Sequence, residues 1–178
     1  MSPAGIEIER KFRLRVPPGA DVLAANGAVA RRIEQVYLDG GREAARIRRI
    51  ETADGVAYRR THKRQVGPYS FEEHEEAIDE AGWIADLERA DPARRAIRKT
   101  RHVVPHGDQH LEIDVFEEPA GLVVVEVELQ DADEPVALPA WLGEWREVTG
   151  DERYFNASLA RLDAEVPAWE PAAAPSPG

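Results

Sequence analysis

The sequence contains no cysteine among its 178 residues. This absence excludes a disulfide framework, cysteine-ligated zinc, iron–sulfur clusters and thiol catalysis. Long apolar runs are also missing, because stretches such as Leu122–Val125 end far short of the roughly 20 residues that a membrane-spanning helix needs. The first residues, MSPAGIEIERKF, lack the apolar segment of a signal peptide. We therefore expect a soluble cytoplasmic protein with no membrane partner.

Basic residues are outnumbered by acidic ones, 23 Lys and Arg against 34 Asp and Glu, and the formal net charge is −11. This balance argues against a nucleic-acid partner, because contacts to phosphates need a positive footprint. The length fits one domain, and the one clear change of composition falls at residue 167. We expect residues 1–166 to form a single domain and the Pro/Ala-rich tail, 167–178, to be disordered.

The dominant pattern is alternation of charged and apolar residues, which predicts β-strands. In the first segment Glu7, Glu9 and Lys11 share one face and apolar residues share the other. The charged faces are sorted by sign from strand to strand. Acidic pairs stand at positions 7/9, 73/75 and 126/128, and basic pairs at 46/48 and 99/101. Helices are predicted over 18–32, 80–90 and 151–162.

The sorting of charge by strand indicates more than a sheet with one face in solvent. A sheet with one solvated face shows the same alternation, but a solvated face is better served by mixed signs. A closed barrel with a polar interior accounts for the sorting. Clustered carboxylates need divalent cations, and clustered Arg and Lys need an anion, most naturally phosphate. The combination predicts a metal–polyphosphate site, and the lack of a Walker A sequence excludes the P-loop solution.

A series of motifs in chain order carries a family resemblance. The motifs are ExExK at 7–11, RIR at 46–48, THK at 61–63, the pair Glu73/Glu75, KTR at 99–101, EIDVF at 112–116 and EVEL at 126–129. Over residues 6 to about 162 this series resembles the CYTH superfamily, also called triphosphate tunnel metalloenzymes, and in particular its small bacterial branch. The resemblance implies an α+β, mainly β fold: an eight-stranded antiparallel closed tunnel barrel with a charged lumen and helices packed outside.

The resemblance also implies the residues of the site. The expected metal-binding carboxylates are Glu7, Glu9, Asp114, Glu126 and Glu128, with Glu73 and Glu75 as a further acidic pair that binds the metal or holds water. The expected phosphate clamp is Lys11, Arg46, Arg48, Lys63, Lys99 and Arg101. Lys11, Glu9 and Arg48 are the expected catalytic residues, and Mg²⁺ or Mn²⁺ is the implied cofactor. Phe71 stands where an arginine is expected ahead of the acidic pair, which leaves one clamp contact open.

The expected activity is hydrolysis of inorganic triphosphate to pyrophosphate and phosphate, so the expected partner is a small-molecule polyphosphate. Three alternatives stay open. The first is an adenylate cyclase, disfavoured because no HFR-type element precedes ExExK. The second is a thiamine or nucleoside triphosphatase. The third is a non-catalytic polyphosphate-binding module, which could dispense with the carboxylates. Family members commonly form dimers, so the resemblance also makes a homodimer a candidate assembly.

Overall fold

The computed structural model describes residues 5–39, 44–67 and 70–170, apart from the side chains at positions 5–7, 44, 63, 65, 70 and 71. Its strands are β1 Gly5–Leu14, β2 Val29–Tyr37, β3 Ala44–Thr52, β4 Gly55–Gln65, β5 Ser70–Ile78, β6 Ile97–His106, β7 Gln109–Glu118, β8 Val123–Leu129 and β9 Trp145–Glu147. Its α-helices are α1 Ala20–Ala25, α2 Glu80–Leu87 and α3 Asn156–Leu159, and 3-10 turns span Ala140–Leu142 and Glu152–Tyr154. None of the helices in these ranges is long and apolar enough to cross a membrane.

The strands pair antiparallel in the order β5-β4-β3-β2-β6-β7-β8-β1-β9. The first part of β1, Gly5–Ile8, pairs in addition with β5, and its last part, Phe12–Leu14, pairs with β9. Eight strands therefore follow one another in a ring, to which β9 adds a short ninth. The predicted eight-stranded antiparallel tunnel fold is confirmed, with this one extra strand.

The apolar faces of β1, β7 and β8 pack on the outside of the ring. Phe12, Ile113 and Val125 belong to one buried cluster with Leu23 of α1 and Leu142 of the first 3-10 turn. These residues alternate with the charged ones along each strand, so burying them outside sends the charged side chains inward.

Helix α2 packs against the outer face of β3, β4 and β5. Its Trp83 lies 5.7 Å from the ring of Tyr58, measured between centroids. Its Asp86 is buried and accepts a 2.7 Å hydrogen bond from Arg60 Nε on β4. The prediction of a helix over 80–90 is confirmed by this element.

One end of the barrel interior is apolar. Val124 shares a strand face with Glu126, and it clusters with Phe116, Tyr154 and Leu159. The last two residues belong to the C-terminal segment, which therefore lies over this end. Arg95 holds the segment, because its Nη2 donates to main-chain carbonyls farther along it, at 2.9 Å to residue 161 and 2.9 Å to residue 164. We call this the apolar end of the tunnel.

Two predicted helices are shorter than expected. The helix predicted over 18–32 ends at Ala25, because Gly27 turns the chain with a φ of +72° and β2 follows at Val29. The helix predicted over 151–162 is broken at Phe155, whose backbone is extended. Alanine content predicted the first helix and apolar spacing the second, but neither shows where the backbone leaves the helical region.

Part of the predicted tail contacts the barrel. Arg13 donates from Nη1 to the carbonyl of Pro167, and its guanidinium lies 6.0 Å from the ring of Trp169. Arg146 lies 2.6 Å from Glu170. Residues 171–178 lie outside the described ranges, so disorder of the tail stays a prediction.

Candidate active site

The charged strand faces meet inside the ring. Strand β1 supplies Glu9 and Lys11, and the neighbouring strands supply the other described members of the predicted site. These are Arg46 and Arg48 on β3, Glu73 and Glu75 on β5, Lys99 and Arg101 on β6, Asp114 on β7, and Glu126 and Glu128 on β8. Glu7 and Lys63 lie on β1 and β4, but their side chains are outside the described part of the chain.

Lys11 is fixed where β1 changes partners. Its main-chain N–H donates to Thr149 Oγ1 at 2.9 Å, and its carbonyl accepts from Val148 N at 2.8 Å. The side chain is 6% exposed, and its Nζ lies 2.9 Å from Glu126 Oε1 and 3.9 Å from Glu9 Oε1. The ammonium group is thus held inside the tunnel between two carboxylates.

Glu126 is the centre of this half of the tunnel. Besides Lys11 it accepts from Arg101 Nη2 at 2.6 Å. Burial raises the pKa of Glu126, but the combined attraction of Lys11 and Arg101 outweighs burial and holds the pKa well below its ordinary value. The carboxyl is therefore ionised at neutral pH.

Asp114 is fully buried and holds two cations. It accepts from Arg101 Nε and Nη2 at 2.7 Å each, and it also pairs with Lys99 Nζ. Burial lowers the pKa of Lys99, and Asp114 offsets only part of that effect. The contacts of Asp114 are thus with the predicted clamp residues.

In this half of the tunnel, two pairs of glutamates lie directly opposite each other on neighbouring strands. Glu9 lies opposite Glu128, and Glu112 lies opposite Glu126. Burial raises the pKa of Glu112, and Arg101 only partly offsets it. Like charges directly opposite on neighbouring strands destabilise a sheet, so these pairs favour a bound cation. We call this region, on β1 and β6–β8, the acidic half.

The donor set of the acidic half suits a hard divalent ion, since Mg²⁺ and Mn²⁺ prefer carboxylate oxygens. Glu128 is exposed and makes no ion pair with any described residue. No three His, Asp or Glu side chains within the described ranges already stand in metal-binding spacing. Glu7, the remaining carboxylate of the motif, is not among the described side chains.

The opposite wall, on β3–β5, is richer in positive charge. Arg46 Nη2 lies 3.4 Å from Glu73 Oε2, and Arg48 Nη2 pairs with Glu75. Thr61 Oγ1 also donates to Glu75, at 3.1 Å. Burial, together with the charge of Arg46, lowers the pKa of Arg48. We call this region the basic half.

The basic half contains a buried donor that no described acceptor satisfies. Arg48 Nε is buried and has no hydrogen-bond partner among the described atoms. A buried donor without a partner costs about 1–3 kcal/mol, so such an atom in a native structure indicates a missing acceptor. Because guanidinium groups bind phosphate oxygens, the position fits a phosphate group.

The family follows from comparison with known proteins. A family model for the CYTH domain matches residues 5–161. This chain belongs to the CYTH family. It is 30% identical over 159 residues to a protein named inorganic triphosphatase from Acetivibrio thermocellus, and the match covers 88% of this chain and 94% of that protein.

Solved structures agree with this placement of the CYTH domain. The crystal structure of the inorganic triphosphatase NE1496 is 30% identical, with a TM-score of 0.56, and the match covers 86% of this chain and 93% of that one. A putative adenylyl cyclase from Hippeastrum, HpAC1, described as having a dominant triphosphatase activity, is 21% identical with a TM-score of 0.51. That match covers 70% of this chain and 80% of that one. It supports the fold alone.

Three charged or polar residues inside this CYTH tunnel were not among the predicted site residues. Glu112 binds Arg101, and Gln35, 1% exposed, donates from Nε2 to Tyr37 Oη at 2.8 Å. Arg59 lies 3.5 Å from Glu75. Alternation along YRRTHK could have identified Arg59, because it shares a face with Thr61.

Proposed function

We propose that this CYTH domain hydrolyses inorganic triphosphate to pyrophosphate and phosphate inside the tunnel, with the help of Mg²⁺ or Mn²⁺. One observation carries the proposal: a basic half with a buried, unpartnered Arg48 donor faces an acidic half with opposed glutamates. Phosphates need the first and a divalent ion needs the second. Similarity to proteins named inorganic triphosphatase supports this choice of substrate.

The phosphate chain binds along the cations. Arg46 and Arg48 hold it on one wall, where guanidinium contacts fix its direction, and Arg101 lies on the other wall. The carboxylates Glu73 and Glu75 keep the arginines of β3 in place, as their contacts indicate. Asp114 does the same for Lys99 and Arg101. We therefore assign these three acids a positioning role, whereas the family resemblance alone predicts metal binding for them.

Glu9, Glu126 and Glu128 would hold the divalent ion, together with Glu7 as the motif predicts. When bound, the ion would supply positive charge that offsets the phosphate charge and favours deprotonation of the attacking water. Lys11, fixed between Glu9 and Glu126, contacts the phosphoryl group that reacts. Water adds to that group, one P–O–P bond breaks, and Arg48 and Arg101 stabilise the charge that develops on the pyrophosphate leaving group.

Paired variants test these roles by phosphate release from triphosphate. Arg48→Gln should lower the rate by about 10²–10³-fold, the usual loss when one such charge contact is removed. Arg49→Gln is the matched control, because Arg49 is the next residue on β3 and pairs with exposed Glu51. Glu9→Gln should abolish turnover while Glu34→Gln, on the outer face of β2 beside Arg98, retains it. Equal activity of the two members of either pair would refute the assignment.

A further inference from the structure

Arg59 adds a cation to the basic half that the motif series does not include. It lies on the same face of β4 as Thr61 and two residues farther from the apolar end. The direction follows from strand pairing, because Thr61 and Tyr37 both lie opposite Arg46, and Tyr37 belongs to the buried cluster of the apolar end. The residue directly opposite Arg59 on the neighbouring strand β3 is Arg48. Two arginines thus face each other directly, an arrangement that destabilises a sheet unless an anion lies between them.

The carboxylates of the basic half do not balance this extra charge. Opposite Arg59 on β5 stands Ala77, not an acid. Its nearest carboxylate within the described residues is Glu75, at 3.5 Å from Arg59 Nε, and Glu75 already binds Arg48 and Thr61.

Arg48 and Arg59 thus share Glu75 as an acceptor. Arg59 lies toward the end of the tunnel opposite the apolar end, which we call the tunnel mouth, and its side chain is 36% exposed. A partly exposed guanidinium with an incomplete set of acceptors suits an anion that arrives from solution.

We propose that Arg59 forms an outer anion subsite that selects substrates by the charge of the end that lies at the tunnel mouth. This inference rests on the proposed triphosphatase function. The inner cations hold three phosphates, and Arg59, whose side chain is 36% exposed against 17% for Arg48 opposite it, contacts the next group outward. A linear inorganic tetraphosphate gains a contact there, because its fourth phosphate is anionic. Thiamine triphosphate presents a cationic ring at the same place and is repelled.

The test compares substrates in the full-length protein. For Arg59→Gln, the ratio of kcat/KM for inorganic tetraphosphate to kcat/KM for triphosphate should fall about tenfold, the usual effect of losing one charged hydrogen bond. The same ratio for thiamine triphosphate should rise, because the repelling charge is gone. Arg59→Lys, which keeps the charge, should shift both ratios much less. Arg49→Gln, on the outer face, should leave both ratios unchanged.

Calorimetric titration with EDTA present separates this proposal from the function on which it depends. Tetraphosphate should bind more tightly than triphosphate to the wild type, and Arg59→Gln should remove that preference. A preference that disappears in Arg59→Gln while no protein hydrolyses triphosphate would sustain the subsite and refute the proposed activity. Two results would overturn the subsite. One is an equal loss of kcat/KM for all three substrates in Arg59→Gln, and the other is unchanged kcat/KM ratios in Arg59→Gln when its melting temperature matches the wild type.

Discussion

The buried cluster around Asp114 allows a quantitative prediction about stability. Asp114 is fully buried and binds Lys99, itself 2% exposed, and Arg101. Asp114→Asn keeps the shape of the side chain but removes its charge. Two buried cations then lose their shared counter-ion, and among the described carboxylates Glu112 and Glu126 still contact Arg101.

The expected size of the effect follows from that burial. Removing one partner of a buried ion pair costs about 3–5 kcal/mol, a large part of the roughly 5–15 kcal/mol by which a domain is stable. For a chain of this size each kcal/mol shifts the melting temperature by roughly 2–4 °C, so Asp114→Asn should melt roughly 6–20 °C below the wild type.

Urea denaturation and thermal melting, followed by circular dichroism, measure the loss. Asp163→Asn is the matched control, because it removes the charge from an exposed ion pair with Arg161; its melting temperature should match the wild type, since exposed pairs contribute little. A loss below about 1 kcal/mol for Asp114→Asn would show that the cluster is not a compensated ion network, and would refute this account of why Asp114 is buried.

Three further predictions concern the barrel wall. Asp79 caps α2, with Oδ1 accepting a 2.8 Å hydrogen bond from the first turn, so Asp79→Ala should cost about 1 kcal/mol in urea denaturation and Asp79→Asn much less; equal losses would exclude the cap as the cause. Hydrogen bonds from Arg10 lower the pKa of Glu147, so the pair stabilises the fold above the ordinary carboxyl pKa and loses this effect as pH falls through the lowered value. Arg10→Gln should therefore cost about 0.2–1 kcal/mol at neutral pH and low salt, and nothing in strong acid; a loss that persists in acid would contradict this. Ile47 is fully buried, so Ile47→Ala should cost about 2–5 kcal/mol, whereas Val56→Ala, at an exposed site, should leave the urea midpoint unchanged.

Alternation in the sequence was sufficient to predict the strands and the inward direction of the charges. It works because a strand has a period of two and one face of each strand is buried. The number of strands came from the family resemblance and their closure into a barrel also from the sorting of charge, whereas the order of the strands was not predicted, because pairing between distant segments leaves no local pattern. The helix ends were not predictable in the same way: one depends on the backbone of Gly27 and another on that of Phe155.

The sequence placed the charged residues in the tunnel but not their partners. Asp114 resembles the other acids in sequence, and only its complete burial between Lys99 and Arg101 separates it from the more exposed Glu128. Which acid contacts which cation depends on strand register and on the tilt of the strands in the barrel. The roles assigned to Glu7 and Lys63, and a homodimer, stay predictions.

The most direct test of the central claim is phosphate and pyrophosphate release by the wild-type chain from inorganic triphosphate, ATP and thiamine triphosphate, each with Mg²⁺, Mn²⁺ or EDTA. The account predicts rapid release from triphosphate with one or both metals, much slower release from the other two substrates, and none in EDTA. No release from triphosphate with either metal, or equal release in EDTA, would contradict it.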